Sequence, residues 1–297
     1  MKILVTGSNG LLGQKLADLL AKDNDVHLIL TAAKPAVYPI HAAEFYLLDI
    51  TDEKSVHDVI GRSKPHVIIN TAAMTQVDQC ESQREACWKA NVLAVKYLVD
   101  ASRKNNIHLI HISTDFIFDG TQDMLDETAI PKPVNYYGES KLAGEKMVIE
   151  SNISWCIIRT VLVFGITHDM SRSNIVLWVK NNLQQGKSIQ VVNDQWRTPT
   201  LAEDLAMGCY LAAKKKANGI FNISGKDYLS AYNIAIRTAD FFKLDKSLIK
   251  ETDSTKFTQP AKRPPRTGFI IDKARKELGY NPHSFEEGLR ILASQLH

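Results

Sequence analysis

The stretch Lys2-Ile3-Leu4-Val5-Thr6-Gly7-Ser8-Asn9-Gly10-Leu11-Leu12-Gly13 decides the fold. Ile3, Leu4, Val5 and Thr6 have the make-up of a buried strand, and they run without a spacer into G-x-x-G-x-x-G. Leu16, Leu19 and Leu20 follow at helical spacing, so the glycines occupy a strand-to-helix turn. Glycine tolerates a positive φ and lets a ligand approach the backbone. The helix that follows offers unpaired N–H groups and the positive end of its dipole, and together these suit a pyrophosphate. A tight turn with no ligand would show the same glycines; their place after the first strand is what favours a dinucleotide.

Short β-branched runs recur at Val26–Leu30, Phe45–Leu48, Val67–Ile69, Leu109–Ile112 and Cys156–Ile158, separated by longer stretches of helical period. That alternation predicts an α/β fold, a doubly wound parallel Rossmann-type sheet with ligands outside the carboxyl ends of the strands. Ser82 with Glu85, Thr200 with Glu203 and Ser284 with Glu287 match the capping-box spacing for helix starts, and Gly186 and Gly279 follow helical runs. After about residue 160 the rhythm loosens: Thr167–Lys187 is mostly one helix pattern, and Thr252–Thr267 is rich in Pro, Lys and Arg. Ile189–Val192 and Ile220–Ile223 look like returns to the main sheet. The expected division is therefore 1–165 plus about 189–223 for the dinucleotide-binding domain, with about 166–188 and 224–297 forming a smaller, discontinuous C-terminal substrate-binding lobe.

Bulk properties narrow the function. A chain of 297 residues with 36 basic and 33 acidic side chains carries a formal charge of +3, too small and dispersed for nucleic acid as the main partner. No apolar run approaches a membrane span, and no leader segment is legible, so a soluble protein of the reducing cytoplasm is expected. Cys80, Cys87, Cys156 and Cys209 form no C-x-x-C pair, and the nine histidines no H-x-x-x-H, so no metal is expected.

The end of the second strand reads Leu30-Thr31-Ala32-Ala33-Lys34. A carboxylate there would hold a ribose 2′-hydroxyl, whereas a cation accommodates a 2′-phosphate, so Lys34 points to NADP with NAD as the alternative. Asp49 and Ile50, after the third strand, are placed to contact adenine. Further on, Tyr137 and Lys141 lie four apart at a helix start and share a face. A phenol titrating near 10 donates a proton better when an ammonium stabilises the phenolate left behind. Many helices carry this spacing by chance. Thr114, at the end of the strand Leu109–Ile112 and its extension Ser113-Thr114-Asp115, adds a hydroxyl where a sheet-top site wants one.

With the glycine turn, the strand-end hydroxyl and the Tyr-Lys pair in this order, the chain resembles an extended short-chain dehydrogenase/reductase, most closely the dTDP-4-dehydrorhamnose reductase family. The likeness runs through Asn70-Thr71-Ala72-Ala73, Val77-Asp78, Cys80-Glu81-Ser82, Arg159-Thr160, Val192-Asn193-Asp194-Gln195 and Arg263-Pro264. It implies Thr114, Tyr137 and Lys141 as the catalytic triad. It also implies that Gly7, Asn9, Gly10, Leu11, Leu12 and Gly13 hold the cofactor, that Ala72 and Ala73 flank it, and that Asn91 is structural. The implied reaction is hydride transfer to C4 of a 4-keto nucleotide sugar, with a homodimer compatible.

Substrate contacts are expected from Thr75, Val77, Phe116, Leu162, Trp196, Arg197 and Arg263, with Arg197 and Arg263 as cations for the diphosphate. Phe116 and Leu162 depart from the family's aromatic hydroxyl and Trp, which changes the pocket walls and puts the rhamnose precursor itself in question. Two other readings stay open. A sugar-nucleotide epimerase uses the same Tyr and Lys; and the chain also resembles the NADP-binding regulatory subunit of methionine adenosyltransferase.

Overall fold

The structure, a computed structural model, describes residues 1–37, 42–169 and 173–296. The β-branched runs form β1 (Lys2–Thr6), β2 (His27–Ala32), β3 (Ala43–Leu47), β4 (Val67–Asn70) and β5 (His108–Thr114). After the short β6 (Met124–Leu125) come β7 (Trp155–Thr160), β8 (Val163–Phe164), β9 (Ile189–Val192), β10 (Trp196–Arg197) and β11 (Thr200–Leu201). The last strands are β12 (Gly219–Asn222), β13 (Leu229–Ser230), β14 (Ile249–Thr252) and β15 (Arg266–Phe269). Seven of them form one parallel sheet in the order β12-β7-β5-β4-β1-β2-β3. The chain winds one way from β1 through β2 to β3 and the other way from β4 outward. The switch point therefore falls between β1 and β4, where such sheets open a crevice.

Residue alternation in the strands explains the layers. Ile3 and Val5 join Leu28, Leu30, Val67 and Ile69 on one face, against α1 (Leu11–Leu20) and, from later in the chain, Leu205 and Cys209. Leu4, Ile29 and Ile68 point the other way, against α2 (Glu53–Ser63). That second face is completed by Leu98 and Val148, after the short α3 (Val77–Ser82) and α4 (Arg84–Trp88), on α5 (Ala94–Asn105) and α6 (Tyr136–Ile149). Each such fully buried aliphatic side chain is worth roughly 1.5–3 kcal/mol, so both layers are needed to hold the strand ends in place. A single π-helical turn, Lys89–Leu93, links α4 to α5 and carries the buried Asn91.

Of the two expected returns to the main sheet, Ile220–Ile223 arrives as β12, beside β7. Ile189–Val192 does not: as β9 it pairs in parallel with β14 in a separate two-stranded sheet. Val179 and Leu183 of α7 (Ile175–Gln184) cover it. Ala235 and Ala239 complete the cover, from the next helix after α8 (Ala202–Lys215), which is α9 (Ala231–Phe242). A short apolar run carries no information about which sheet receives it, and here α7 and α9 supply the apolar cover. Helix α7 occupies Ile175–Gln184 of the longer expected pattern; residues 170–172 lie outside the described residues.

The capping boxes divide similarly. Ser284 and Glu287 form theirs at the start of α10 (Phe285–Ala293). Ser82 instead ends α3, its hydroxyl turned back on the Asp78 and Gln79 carbonyls, and Thr200 lies in β11 bonded to the Val161 carbonyl. Ser230 and Asn233 make a box at α9 that the Glu/Gln pattern does not find. All four cysteines are buried and free. Among the described residues no helix is long and apolar enough to cross a membrane.

Candidate active site

A cleft of about 700 Å³ opens at the carboxyl ends of β1, β2, β4, β5 and β7. Gly7 leaves β1 at φ +67°, and a Cβ there would meet the Ala72 backbone at 2.9 Å. Gly13 lies closer still, its notional Cβ 2.4 Å from the Gly7 carbonyl oxygen. Two of the three glycines are thus required by the turn and by packing of α1 on it. Gly10 caps α1 with no side-chain bond, so the helix N-terminus faces the cleft uncapped. Asn9 is committed to the neighbouring loop: it donates to the Lys34 and Pro35 carbonyls at 3.3 and 2.8 Å and accepts from Val37 N–H. Lys34 stands exposed on the cleft wall, while Asp49 accepts from the Thr51 amide and hydroxyl.

Ser113 Oγ and Thr160 Oγ1, at the ends of β5 and β7, are buried without a hydrogen-bond partner, and both residues line the cleft. Buried hydroxyls left unpaired cost free energy, so this floor is prepared for a polar ligand. The uncapped helix, the glycine approach and the two hydroxyls fit a nicotinamide dinucleotide. Leu11, Leu12, Ile50, Ala72, Ala73, Thr75 and Val77 line the same cleft.

The far end of the cleft forms where α6 crosses the end of β5. Asn135 caps α6 by accepting from Gly138 N–H at 2.8 Å, and a Cβ at Gly138 would strike the Phe116 carbonyl oxygen at 2.1 Å. This close approach brings Tyr137 and Lys141 beside Thr114, all three buried and all lining the cleft. Thr114 donates to Asp115 Oδ1 at 3.0 Å and accepts from Phe116 N–H at 3.2 Å. Phe116 meets the Tyr137 ring edge-on at 5.7 Å. Burial pushes the Tyr137 phenol above its ordinary 10, with a hydrogen bond to Thr114 acting the other way. Lys141 Nζ donates to the Ile112 carbonyl at 2.7 Å and stands 3.4 Å from His111 Nε2; burial lowers its pKa to about 8. At neutral pH the phenol therefore holds its proton, beside a lysine that is mostly charged.

The expected phosphate cations lie elsewhere. Arg197 is buried, donating to the carbonyls of Trp196, Pro264 and Pro265, and its Nε is 3.5 Å from Asp115 Oδ2. Arg263 pairs with Asp78 through both nitrogens, at 2.6 and 2.8 Å. Trp196 packs on Tyr228 with ring centroids 5.3 Å apart. None of these three belongs to the cleft wall, whereas Phe116 and Leu162 do. Leu162 has φ +36°, a left-handed conformation that costs a residue with a Cβ roughly 1–2 kcal/mol. Sequence reasoning missed the buried Arg159–Glu145 pair, held by two bonds of 3.0 and 2.8 Å beneath the site. It also missed the unpaired Ser113 and Thr160 hydroxyls, whose only signal was their position at strand ends.

The chain matches, over residues 1–297, the family described as RmlD substrate binding domain. It is 31% identical over 301 residues to the dTDP-4-dehydrorhamnose reductase of Aggregatibacter actinomycetemcomitans, covering 97% of each chain. The chain belongs to the dTDP-4-dehydrorhamnose reductase family of extended short-chain dehydrogenases/reductases. A second similarity is to methionine adenosyltransferase 2 subunit beta of Xenopus laevis, 32% over 257 residues, covering 84% of this chain and 74% of that one. Among solved structures, the dTDP-4-dehydrorhamnose reductase of Bacillus anthracis in complex with NADP superposes with a TM-score of 0.86, at 27% identity over 99% of each chain. Family membership accounts for the G-x-x-G-x-x-G cradle and the Thr114, Tyr137 and Lys141 cluster meeting at one cleft.

Proposed function

We propose that this chain is an NAD(P)H-dependent reductase of the C4 keto group of a nucleotide-linked deoxysugar, with Thr114, Tyr137 and Lys141 as its catalytic residues. The observation that carries the reading is the convergence of a neutral buried phenol, a buried lysine and a strand-end hydroxyl at the floor of a dinucleotide-shaped cleft. The bound cofactor supplies hydride to the keto carbon. Tyr137 gives its hydroxyl proton to the carbonyl oxygen as negative charge develops there, and Lys141 stabilises the phenolate that remains. The Thr114 hydroxyl, which donates to Asp115 in the resting site, stands where it can donate to the Tyr137 oxygen as the phenolate forms, a hydrogen bond that lowers the cost of releasing the proton. Burial of all three excludes water and strengthens these interactions.

NADP is the preferred cofactor in this reading, supported by Lys34 on the wall beyond β2 and by the NADP complex of the Bacillus anthracis relative, with NAD as the alternative. Gly7, Gly10 and Gly13, at the turn and the start of α1, would hold the pyrophosphate, and Ala72 and Ala73, on the same cleft wall, would flank the cofactor. Thr75, Val77, Phe116 and Leu162 form the sugar pocket. The reducing cytoplasm is in keeping with four buried free thiols. A purely regulatory role has no use for the intact Thr114, Tyr137 and Lys141 cluster.

The test is oxidation of NADPH and NADH across a panel of 4-keto nucleotide sugars. Inactivity on every member overturns the reading. Tyr137→Phe should lower turnover by about 100-fold or more while leaving the cofactor Kd near wild type, because the lost interaction belongs to the transition state.

A further inference from the structure

Beneath Lys141 runs a buried chain of side chains that the reaction does not use directly. Ala72 N–H donates to Thr6 Oγ1 at 3.3 Å, and Thr6 Oγ1 donates to Asn70 Oδ1 at 2.6 Å. With its oxygen so engaged, the Asn70 amide turns its nitrogen to His111 Nδ1 at 3.1 Å. An Nδ1 that accepts leaves the proton of a neutral imidazole on Nε2, the atom 3.4 Å from Lys141 Nζ. Burial and the neighbouring lysine hold His111 well below its ordinary 6.5, so the ring is neutral. An Nε2–H donates to an amine lone pair but opposes an ammonium.

We infer that Thr6, Asn70 and His111 form a polarised hydrogen-bond chain from the glycine-turn strand to the catalytic lysine, in which His111 is a positioning residue that favours the amine form of Lys141. It thereby sets the alkaline limit of the Tyr137–Lys141 pair. Other groups facing Lys141 act in the opposite sense: Glu145 on α6, itself paired with Arg159 of β7, and Cys87 on α4. Gly144 lets the contact exist, since a Cβ there would strike the Asn91 carbonyl oxygen at 2.6 Å and approach His111 Nε2 at 3.5 Å. The inference rests on Lys141 being the partner of Tyr137, but its deciding measurement, the side-chain titration, needs no substrate.

The experiment is imidazole and lysine side-chain NMR on the full, substrate-free chain, with Lys141→Arg and His111→Gln assigning the two signals. The wild type should carry the His111 hydrogen on Nε2, and Lys141 should titrate near 8. Thr6→Val removes the donor that orients Asn70 without adding charge. It should let the amide turn over, move the proton to Nδ1 and raise the Lys141 midpoint by about one unit. Asn70→Asp should raise it further. The alkaline limb of kcat should move with the midpoint, whereas a merely structural role would lower kcat and leave the limb in place. A wild-type His111 protonated on Nδ1 overturns the inference even if neither variant folds. An unmoved midpoint in a folded Thr6→Val also overturns it. Loss of activity on every keto sugar would instead count against the proposed reaction and leave these spectra unaffected.

Discussion

Lys141 and Arg197 are both buried cations within a few residues of Tyr137 or Thr114 in space, yet their surroundings differ in kind. Arg197, on β10, has its guanidinium engaged by three carbonyls and the Asp115 carboxylate. Lys141, on the sheet side, has one carbonyl and an imidazole. Asp115 in turn accepts from Thr114 and, through Oδ2, from Thr267 of β15 at 2.5 Å, so Arg197 and Asp115 tie β10 and β15 to the strand end that carries Thr114. A saturated guanidinium serves as a fixed strut; an under-partnered ammonium keeps a pKa close to the working range. Burial alone does not distinguish structural from chemical cations, but the count of partners does.

The sharpest way to break this contrast is to remove each cation and compare stability by denaturant unfolding at pH 7. Arg197→Met leaves Asp115 buried without its counter-ion and should cost about 3–5 kcal/mol. A loss under about 1 kcal/mol would show that Arg197 is no strut. Lys141→Met should do the reverse. The wild-type lysine is held near 8 when folded against 10.4 or so unfolded, so folding at pH 7 carries a penalty of about 3 kcal/mol. Removing it, less about 1 kcal/mol for the Ile112 carbonyl left unbonded, should stabilise the fold by roughly 2 kcal/mol while abolishing turnover. Between pH 8 and about 10.4 the unfolded chain binds more protons than the folded one, so wild-type stability from this group rises and the variant's advantage shrinks. An advantage independent of pH would refute the assignment. The smallest effect belongs to Arg263→Ala, because Asp78 is 44% exposed and solvent screens the pair: about 1 kcal/mol or less. A larger loss there would make Arg263 a second strut.

How far the sequence reaches is visible in the same residues. The βαβ rhythm, the glycine turn and the four-residue spacing of Tyr137 and Lys141 were legible because each is a local pattern with a local cause: strand pleat, tight turn, helical pitch. Ser284 and Glu287 formed their box for the same reason. Ser82 and Thr200 showed the same spacing and did something else, since a hydroxyl takes whichever carbonyl the fold brings near. Arg197 and Arg263 read as phosphate cations because a sequence displays charge and not partners.

The sequence by itself therefore determined the parallel sheet, the glycine turn and the spacing that sets Tyr137 and Lys141 on one helix face, all of which follow from periodicity and residue chemistry within about one element. Only the tertiary structure decided which cations face the cleft, which sheet receives Ile189–Val192, and what lies beneath Lys141. Those depend on residues far apart in the chain, such as Thr6, Asn70 and His111 or Asp115, Arg197 and Thr267. Their hydrogen bonds exist only once the strands of the two sheets have packed.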